Sequence, residues 1–248
     1  MIVNSTKRLI ALLSLALFSS AALAASPADT IKQQFKQSFP QISLSKVEKT
    51  PVSGIYQVVT SSGELLYASA DGKHLFTGDM LRMEAIGSVN VSEQWRSTQR
   101  VESLKELKDK DLVVYPAKGE EKGEVLVFTD TSCGYCRKFH TEIPEINEKG
   151  ITVKYVAWPR YGLQSPAGQT MLNVWCSDDR ESAMTEAKTN KPVSAPEGKT
   201  CDTALIQDQI ALGQRVGVRG TPAVYTNSGR QLGGYVKAGQ LAQQLGLQ

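Results

Sequence analysis

Val125-Leu126-Val127-Phe128-Thr129-Asp130-Thr131-Ser132-Cys133-Gly134-Tyr135-Cys136-Arg137-Lys138-Phe139-His140 decides how the rest of the chain is read. Val125 to Thr129 is a continuous apolar run, which suits a strand buried on both faces of a sheet. After Cys133 the apolar residues Phe139, Ile143 and Ile146 recur at helical spacing. Cys133 and Cys136 therefore stand where a strand gives way to a helix. Unpaired backbone N–H groups at a helix start stabilise a thiolate on the first cysteine, and two intervening residues let the pair close a small ring. A stable thiolate attacks well and leaves well, so the pattern predicts thiol–disulfide chemistry. The same spacing supplies half of a tetrahedral zinc site. The other half is missing, because Cys176 and Cys201 are far apart and neither belongs to a second CxxC or a Cys/His pair. No metal and no cofactor are expected beyond the two thiols.

The N-terminus points to an oxidising compartment. Lys7 and Arg8 form a basic segment, Leu9 to Phe18 is apolar, and Ala22-Leu23-Ala24 fits the small-residue cleavage rule. Residues 1–24 read as a signal peptide, too short in its apolar part to span a membrane. Lys7 and Arg8 also supply two of the three net positive charges, so the mature chain offers no basic surplus that would indicate a nucleic-acid partner.

Four cysteines in an exported chain allow three pairings. Cys176 ends an apolar helix-like run from Met171, and Cys201 follows a loop from Asn190 to Thr200. A Cys176–Cys201 bridge is predicted to staple that loop and to leave the CxxC free to cycle. Such a closure stabilises by roughly 3 to 4 kcal/mol in the chain-entropy picture.

Upstream, Ser26-Pro27-Ala28-Asp29 is a capped helix start, and Ile31, Phe35 and Phe39 recur every four residues until Pro40. Strand-like runs follow at Ile55 to Thr60, Leu65 to Ser69 and Lys73 to Phe76, separated by turn signals. A helix plus meander of this size has a thin core and no disulfide, so burying a face against a second copy would stabilise it. Residues 25–90 are read as a dimerisation domain. From Ser92 to Lys110 a charged, weakly amphipathic helix, with Val101, Leu104 and Leu107 on one stripe, reads as a linker over 91–110. The remainder, 111–248, alternates strand and helix: a strand at Ile151 to Ala157, helix from about Ala167 through Lys188, helix at Ala204 to Val216, a hairpin around Asn227-Ser228-Gly229, and a closing helix from Ala238 to Leu245. The expected architecture is a small α+β N-terminal domain joined by a helical linker to an α/β thioredoxin-like domain with a helical insertion.

Cys133-Gly134-Tyr135-Cys136, the downstream Gly217-Val218-Arg219-Gly220-Thr221-Pro222-Ala223-Val224, the Cys176 and Cys201 pair, and the upstream Asp71-Gly72-Lys73-His74 together resemble the periplasmic disulfide isomerases of the DsbC/DsbG family, within the thioredoxin superfamily. The match spans nearly all of the mature chain. The resemblance implies a V-shaped homodimer whose cleft holds misfolded, disulfide-containing exported proteins, with holdase-like binding, and a membrane thiol reductase resembling DsbD as the source of electrons. It implies that Cys133 is the exposed nucleophile and Cys136 the resolving thiol, with Gly134 and Tyr135 tuning thiolate stability. It also implies that Thr221-Pro222 is a cis-proline loop offering backbone groups to an extended substrate. The DsbG branch carries proline at the position of Gly134 and lacks the second cysteine pair.

Two other activities fit parts of the pattern. A dithiol oxidase resembling DsbA would be a monomer kept oxidised, which the separate N-terminal meander argues against. A chaperone-like binding module with an incidental CxxC would not need Cys133. Around the motif, His140 reads as a partly exposed helix histidine, and His74 as structural. Arg137, where some members carry histidine, and Lys138 read as solvated charges or as thiol-tuning ones. Trp158, Pro159, Arg160 and Tyr161 read as loop or core anchors. Thioredoxin itself has a buried acid in the strand before its CxxC; here Glu124 and Asp130 are the nearest carboxylates, and the proton acceptor for Cys136 stays open.

Overall fold

The computed structural model describes residues 25–247, so the signal segment and its cleavage point lie outside the described residues. Helix α1 (Pro27–Ser38) begins as its cap predicts: Ser26 Oγ accepts from the Asp29 amide at 3.2 Å and Pro27 occupies the first turn. Its apolar stripe, Ile31 and Phe35, packs with Val58, Leu66 and Ala68 on one face of an antiparallel sheet. That sheet runs in the order β1 (Leu44–Lys49), β2 (Ile55–Thr60), β3 (Leu65–Ser69), β4 (Leu75–Phe76). The expected strand from Lys73 shrinks to Leu75–Phe76. Strand β1 had no clear alternation in sequence because its residues are only partly covered. The opposite sheet face, Val59, Leu65 and Tyr67, packs against Ile55, Met80 and Trp95.

A short hairpin, β5 (Leu81–Met83) with β6 (Ser88–Asn90), leads into helix α2 (Val91–Leu104), capped by Asn90 Oδ1 on the Glu93 amide at 2.8 Å. The linker helix thus ends at Leu104, six residues before its expected end, and a 3₁₀ turn at Asp109–Asp111 follows. Its last turns are docked. Arg100 is buried, donating from Nε to the Val216 carbonyl at 2.9 Å and from NH1 to the Gly229 carbonyl at 3.2 Å and Glu93 Oε1 at 2.5 Å. Gly229 has φ +75°, and a Cβ there would fall 2.1 Å from the Ser97 carbonyl oxygen, so only glycine lets this loop approach α2 so closely.

The larger half holds a five-stranded sheet with β7 (Val113–Tyr115), β8 (Gly123–Thr129), β9 (Ile151–Ala157), β10 (Ala223–Tyr225) and β11 (Gln231–Gly233) in the order β11-β10-β8-β9-β7. Strands β8 and β9 are parallel and the other pairs antiparallel. Strand β8 is covered on both sides, as its uninterrupted apolar sequence requires. Val125 and Val127 join a core with Phe139, Tyr155 and Met171, while Leu126 and Phe128 join one with Val156, Leu212 and Val216. Helices α3 (Gly134–Thr141) and α4 (Ile143–Glu148) follow β8, and α8 (Ala238–Gln244) closes the chain. Between β9 and β10 sits the helical insertion, α5 (Pro166–Cys176), α6 (Arg180–Lys188) and α7 (Thr203–Arg215). The long helix expected through Lys188 is broken after Cys176, where Ser177 is extended and Asp179 Oδ1 starts a new cap on the Ser182 amide at 2.9 Å. These elements give the two-part α+β and thioredoxin-like arrangement. Among the described residues no helix is long and apolar enough to cross a membrane.

Candidate active site

Strand β8 ends at Thr129, and the turn that follows is shaped by Asp130. Its carboxylate is fully buried and satisfied at both oxygens: Oδ1 accepts from the Ser132 amide at 2.6 Å and hydroxyl at 2.7 Å, Oδ2 from the Arg160 amide at 2.9 Å and Nε at 3.1 Å. Burial alone would push Asp130 up, but these four bonds hold it below its ordinary value. The turn places Cys133 at the N-cap of α3. There its sulfur meets the first unpaired amides of the helix.

The β8–β10 register pairs Phe128 with Ala223, which brings the segment just before β10 alongside the CxxC turn. The Thr221–Pro222 peptide is cis. Cys133 Sγ donates to the Thr221 carbonyl at 3.2 Å, and the buried Thr221 hydroxyl has no hydrogen-bond partner among the described residues other than the two sulfurs it faces. Thr221 and Pro222 also border a groove of about 790 Å³ between the two halves of the chain, with Trp95, Arg96 and Arg219.

The two thiols differ in environment. Burial pushes Cys133 up, yet its net shift is downward, because hydrogen bonds from Thr221 and Cys136 and the positive charge of Arg160 favour the thiolate. Cys136 is fully enclosed, and burial pushes it above the ordinary thiol value despite Lys188, Thr221 and Thr129. One thiol is thus prepared to ionise and the other to stay protonated. The nucleophile implied to be exposed is only 4% exposed, whereas the Tyr135 ring beside it is 64% exposed and Gly134 has open space around it. The thiol is reached past Tyr135 rather than standing free.

Cys176 and Cys201 are joined, with Cα atoms 5.2 Å apart, and Cys133 and Cys136 are free. Six of the eight site residues named from sequence, Cys133, Gly134, Tyr135, Cys136, Thr221 and Pro222, share one corner of the domain. The disulfide holds the insertion.

Several readings change. His140 is buried, not partly exposed: Nδ1 lies 3.2 Å from Tyr155 Oη and Nε2 3.2 Å from Thr185 Oγ1. Burial, with a smaller contribution from the charge of Lys188, holds it down to about 4, so it is a neutral imidazole at neutral pH. Arg137 donates to the Thr131 carbonyl at 3.0 Å and Lys138 lies 4.7 Å over the Tyr235 ring. A cation whose charge lowers Cys133 is Arg160, which the sequence offered only as a loop or core anchor. Neither candidate carboxylate faces Cys136. Asp130 is bonded to Arg160 and Ser132, and Glu124, at the other end of β8, pairs with Lys154. Sequence reasoning also missed Lys188. It is a buried lysine donating to Thr129 Oγ1 at 2.7 Å and the Asp130 carbonyl at 2.9 Å.

Comparison with known proteins fits this geometry. The thioredoxin-like domain family matches residues 108–248, and the disulfide bond isomerase protein N-terminal domain matches residues 20–93. The chain is 40% identical to the thiol:disulfide interchange protein DsbC of Salmonella typhimurium, over 77% of this chain and 76% of that one. It is 38% identical to the DsbC of Haemophilus influenzae over 93% and 95%. Among solved structures, a linker-deletion mutant of Proteus mirabilis ScsC covers 63% of this chain and 85% of its own at a TM-score of 0.50 and 18% identity, a likeness of fold. A CxxC at the head of α3, a thioredoxin-like domain and an isomerase-type N-terminal domain in one chain place this protein in the DsbC family of thiol:disulfide interchange enzymes.

Proposed function

We propose that the protein reshuffles incorrect disulfides in exported proteins, with Cys133 as nucleophile and Cys136 as resolving thiol. The observation that carries this assignment is the opposite bias of the two thiols, Cys133 lowered at a helix N-cap and Cys136 raised and enclosed behind it. The Cys133 thiolate attacks a substrate disulfide, forming a bond to one substrate sulfur and releasing the other as a thiolate. A substrate thiol then displaces Cys133, completing isomerisation, or Cys136 displaces the substrate, leaving the Cys133–Cys136 disulfide and a reduced client. The second outcome requires an external dithiol, and a membrane reductase resembling DsbD is the proposed donor. Gly134 and Tyr135 tune the nucleophile, and Thr221 and Pro222 present backbone to the client. The Cys176–Cys201 bridge stays out of the cycle.

The division into 1–24, 25–90, 91–110 and 111–248 follows the same reading. The signal segment delivers the chain to the periplasm, and 25–90 joins two copies. In its favour, Phe76, Leu81, Met83 and Ile86, from β4 and the β5–β6 hairpin, are exposed, with Ile86 95% and Met83 78% exposed, and pairing with a second copy would give them cover. Refolding of a scrambled, multiply bridged substrate tests the chemistry. Cys133→Ala is expected to abolish rescue, and Cys136→Ala to accumulate a mixed disulfide. Full rescue by Cys133→Ala would overturn the assignment. Thiol trapping in cells should find Cys133 and Cys136 reduced, where an oxidase would be found oxidised.

A further inference from the structure

Cys136 must lose a proton before it can attack, and it is enclosed where water does not reach it. The neighbouring carboxylates are committed elsewhere, Asp130 to Ser132 and Arg160 and Glu124 to Lys154. On its other side lies Lys188, carried in by the last turn of α6 from the helical insertion. A lysine buried without a carboxylate is costly unless something else compensates it. Here its Nζ donates to Thr129 Oγ1 and the Asp130 carbonyl and sits 5.4 Å over the Tyr155 ring. Because Thr129 Oγ1 accepts from Lys188, its own hydrogen is free to point at Cys136, whose thiolate it favours. Lys188 Nζ is bonded to the Thr129 hydroxyl, and the Cys136 thiol feels both groups.

We propose that Lys188, acting through the Thr129 hydroxyl, is the positioning residue that takes up the Cys136 proton during release of the client. This inference rests on Cys133 and Cys136 having the roles proposed above. Before attack the pair is a thiol and a neutral amine. Cys136 gives its proton to Thr129 Oγ1 as the Thr129 hydrogen moves to Lys188 Nζ, which leaves an ammonium donating to Thr129 Oγ1 and the Thr129 hydroxyl facing a thiolate, and the pair stays neutral throughout. The thiolate then attacks Cys133 Sγ: the Cys136–Cys133 bond forms, the Cys133–client bond breaks, and the client leaves as a thiolate that takes a proton from water. The ammonium left beside the new disulfide gives its proton to solvent.

The other groups facing Lys188 and Cys136 do not compete. From α3, His140 is neutral and Arg137 is a fixed cation bonded to Thr131; from β9, the Tyr155 hydroxyl is held well above its ordinary value by burial; beyond β9, Arg160 is paired with Asp130. Cys133 feeds the same field but is consumed in the mixed disulfide at this step. Burial brings Lys188 down to about 8, opposed by the thiolates and Asp130, so amine and ammonium are both accessible near neutral pH.

A symmetrical disulfide of a fluorescent cysteine peptide separates the steps, because the full-length protein releases one half when Cys133 attacks and the other when Cys136 resolves. Lys188→Met is expected to leave the first phase within about twofold and to slow the second on the order of tenfold at pH 7, moving its pH midpoint upward. An unchanged second phase, or an equal fall in both, would overturn the proposal. Should Lys188→Met fail to fold, NMR titration of the Lys188 ammonium in the unmodified protein decides. Its midpoint is expected to fall when Cys133 and Cys136 are oxidised, and the same midpoint in both redox states refutes it. Cys133→Ala serves as the control on the underlying roles: persistence of the first phase in that variant would sink those roles, whereas its loss with a normal Lys188→Met second phase would sink only the present inference.

Discussion

His140 makes the stability of the catalytic half sensitive to mild acid, and the size of the effect can be worked from its surroundings. Thr185 Oγ1 donates to the Glu181 carbonyl at 2.9 Å, so toward His140 it accepts, which puts the imidazole proton on Nε2 and leaves Nδ1 to accept from Tyr155. Both nitrogens are satisfied in the neutral form, and a second proton on Nδ1 would face a hydroxyl already donating. The group ordinarily titrates at 6.5 and is held down to about 4 in the folded chain. Between those values the unfolded chain binds a proton that the folded chain does not, so stability is fully present above 6.5 and is lost as the pH falls toward 4. Integrating from pH 7 to pH 5 gives a loss of about 2 kcal/mol from this one residue. His140→Gln keeps groups able to bond Tyr155 and Thr185 but cannot titrate. Urea unfolding of the oxidised protein, followed by tryptophan emission at several pH values, should therefore show the wild type losing about 2 kcal/mol more than His140→Gln over that interval, since the contributions of all other groups cancel in the difference. Parallel pH profiles for the two proteins would show that the imidazole is not held neutral, and the reasoning would fail.

Replacing Cys176 and Cys201 together by alanine opens a link between residues 25 apart and should cost about 3.5 kcal/mol in urea unfolding, with peptide-disulfide cleavage by Cys133 unchanged at low temperature. A negligible loss would mean that packing alone holds the insertion. Arg100→Leu removes the donor to the Val216 and Gly229 carbonyls and leaves Glu93 with one fewer partner, so it should cost about 3 kcal/mol and make α2 a site of early proteolysis. Protease resistance equal to wild type would refute a docked linker.

What the sequence made legible was local. The cap at Ser26, the uninterrupted apolar run of β8, the CxxC at its end and the loop bounded by Cys176 and Cys201 each depend on neighbours within a few residues or on cysteine arithmetic. What it hid was set by distance along the chain. His140 looks like a surface histidine until the insertion lays Thr185 over it, 45 residues downstream. Lys188 reads as one more charge in a polar helix, because its partners Thr129 and Asp130 lie 59 and 58 residues upstream. Asp130 is the last carboxylate before Cys136 in the chain, yet Arg160, 30 residues on, turns it away. The hairpin β5–β6 escaped notice for another reason: its residues are largely exposed, so burial imposes no alternation.

Helix α2 is gripped at both ends. Its first two turns are tied to the smaller half, where Ser92 Oγ meets Tyr67 Oη and accepts from the Met80 amide and Arg96 pairs with Asp79; its later turns are tied to the larger half through Arg100. A strut clamped in this way fixes an angle as well as a separation. One residue added between the clamps would swing Arg100 by about 100° around the helix axis, away from both carbonyls, while a full turn would restore its heading and merely lengthen the span by about 5 Å. The number of residues from Ser92 to Arg100 is therefore a phase setting for the whole molecule.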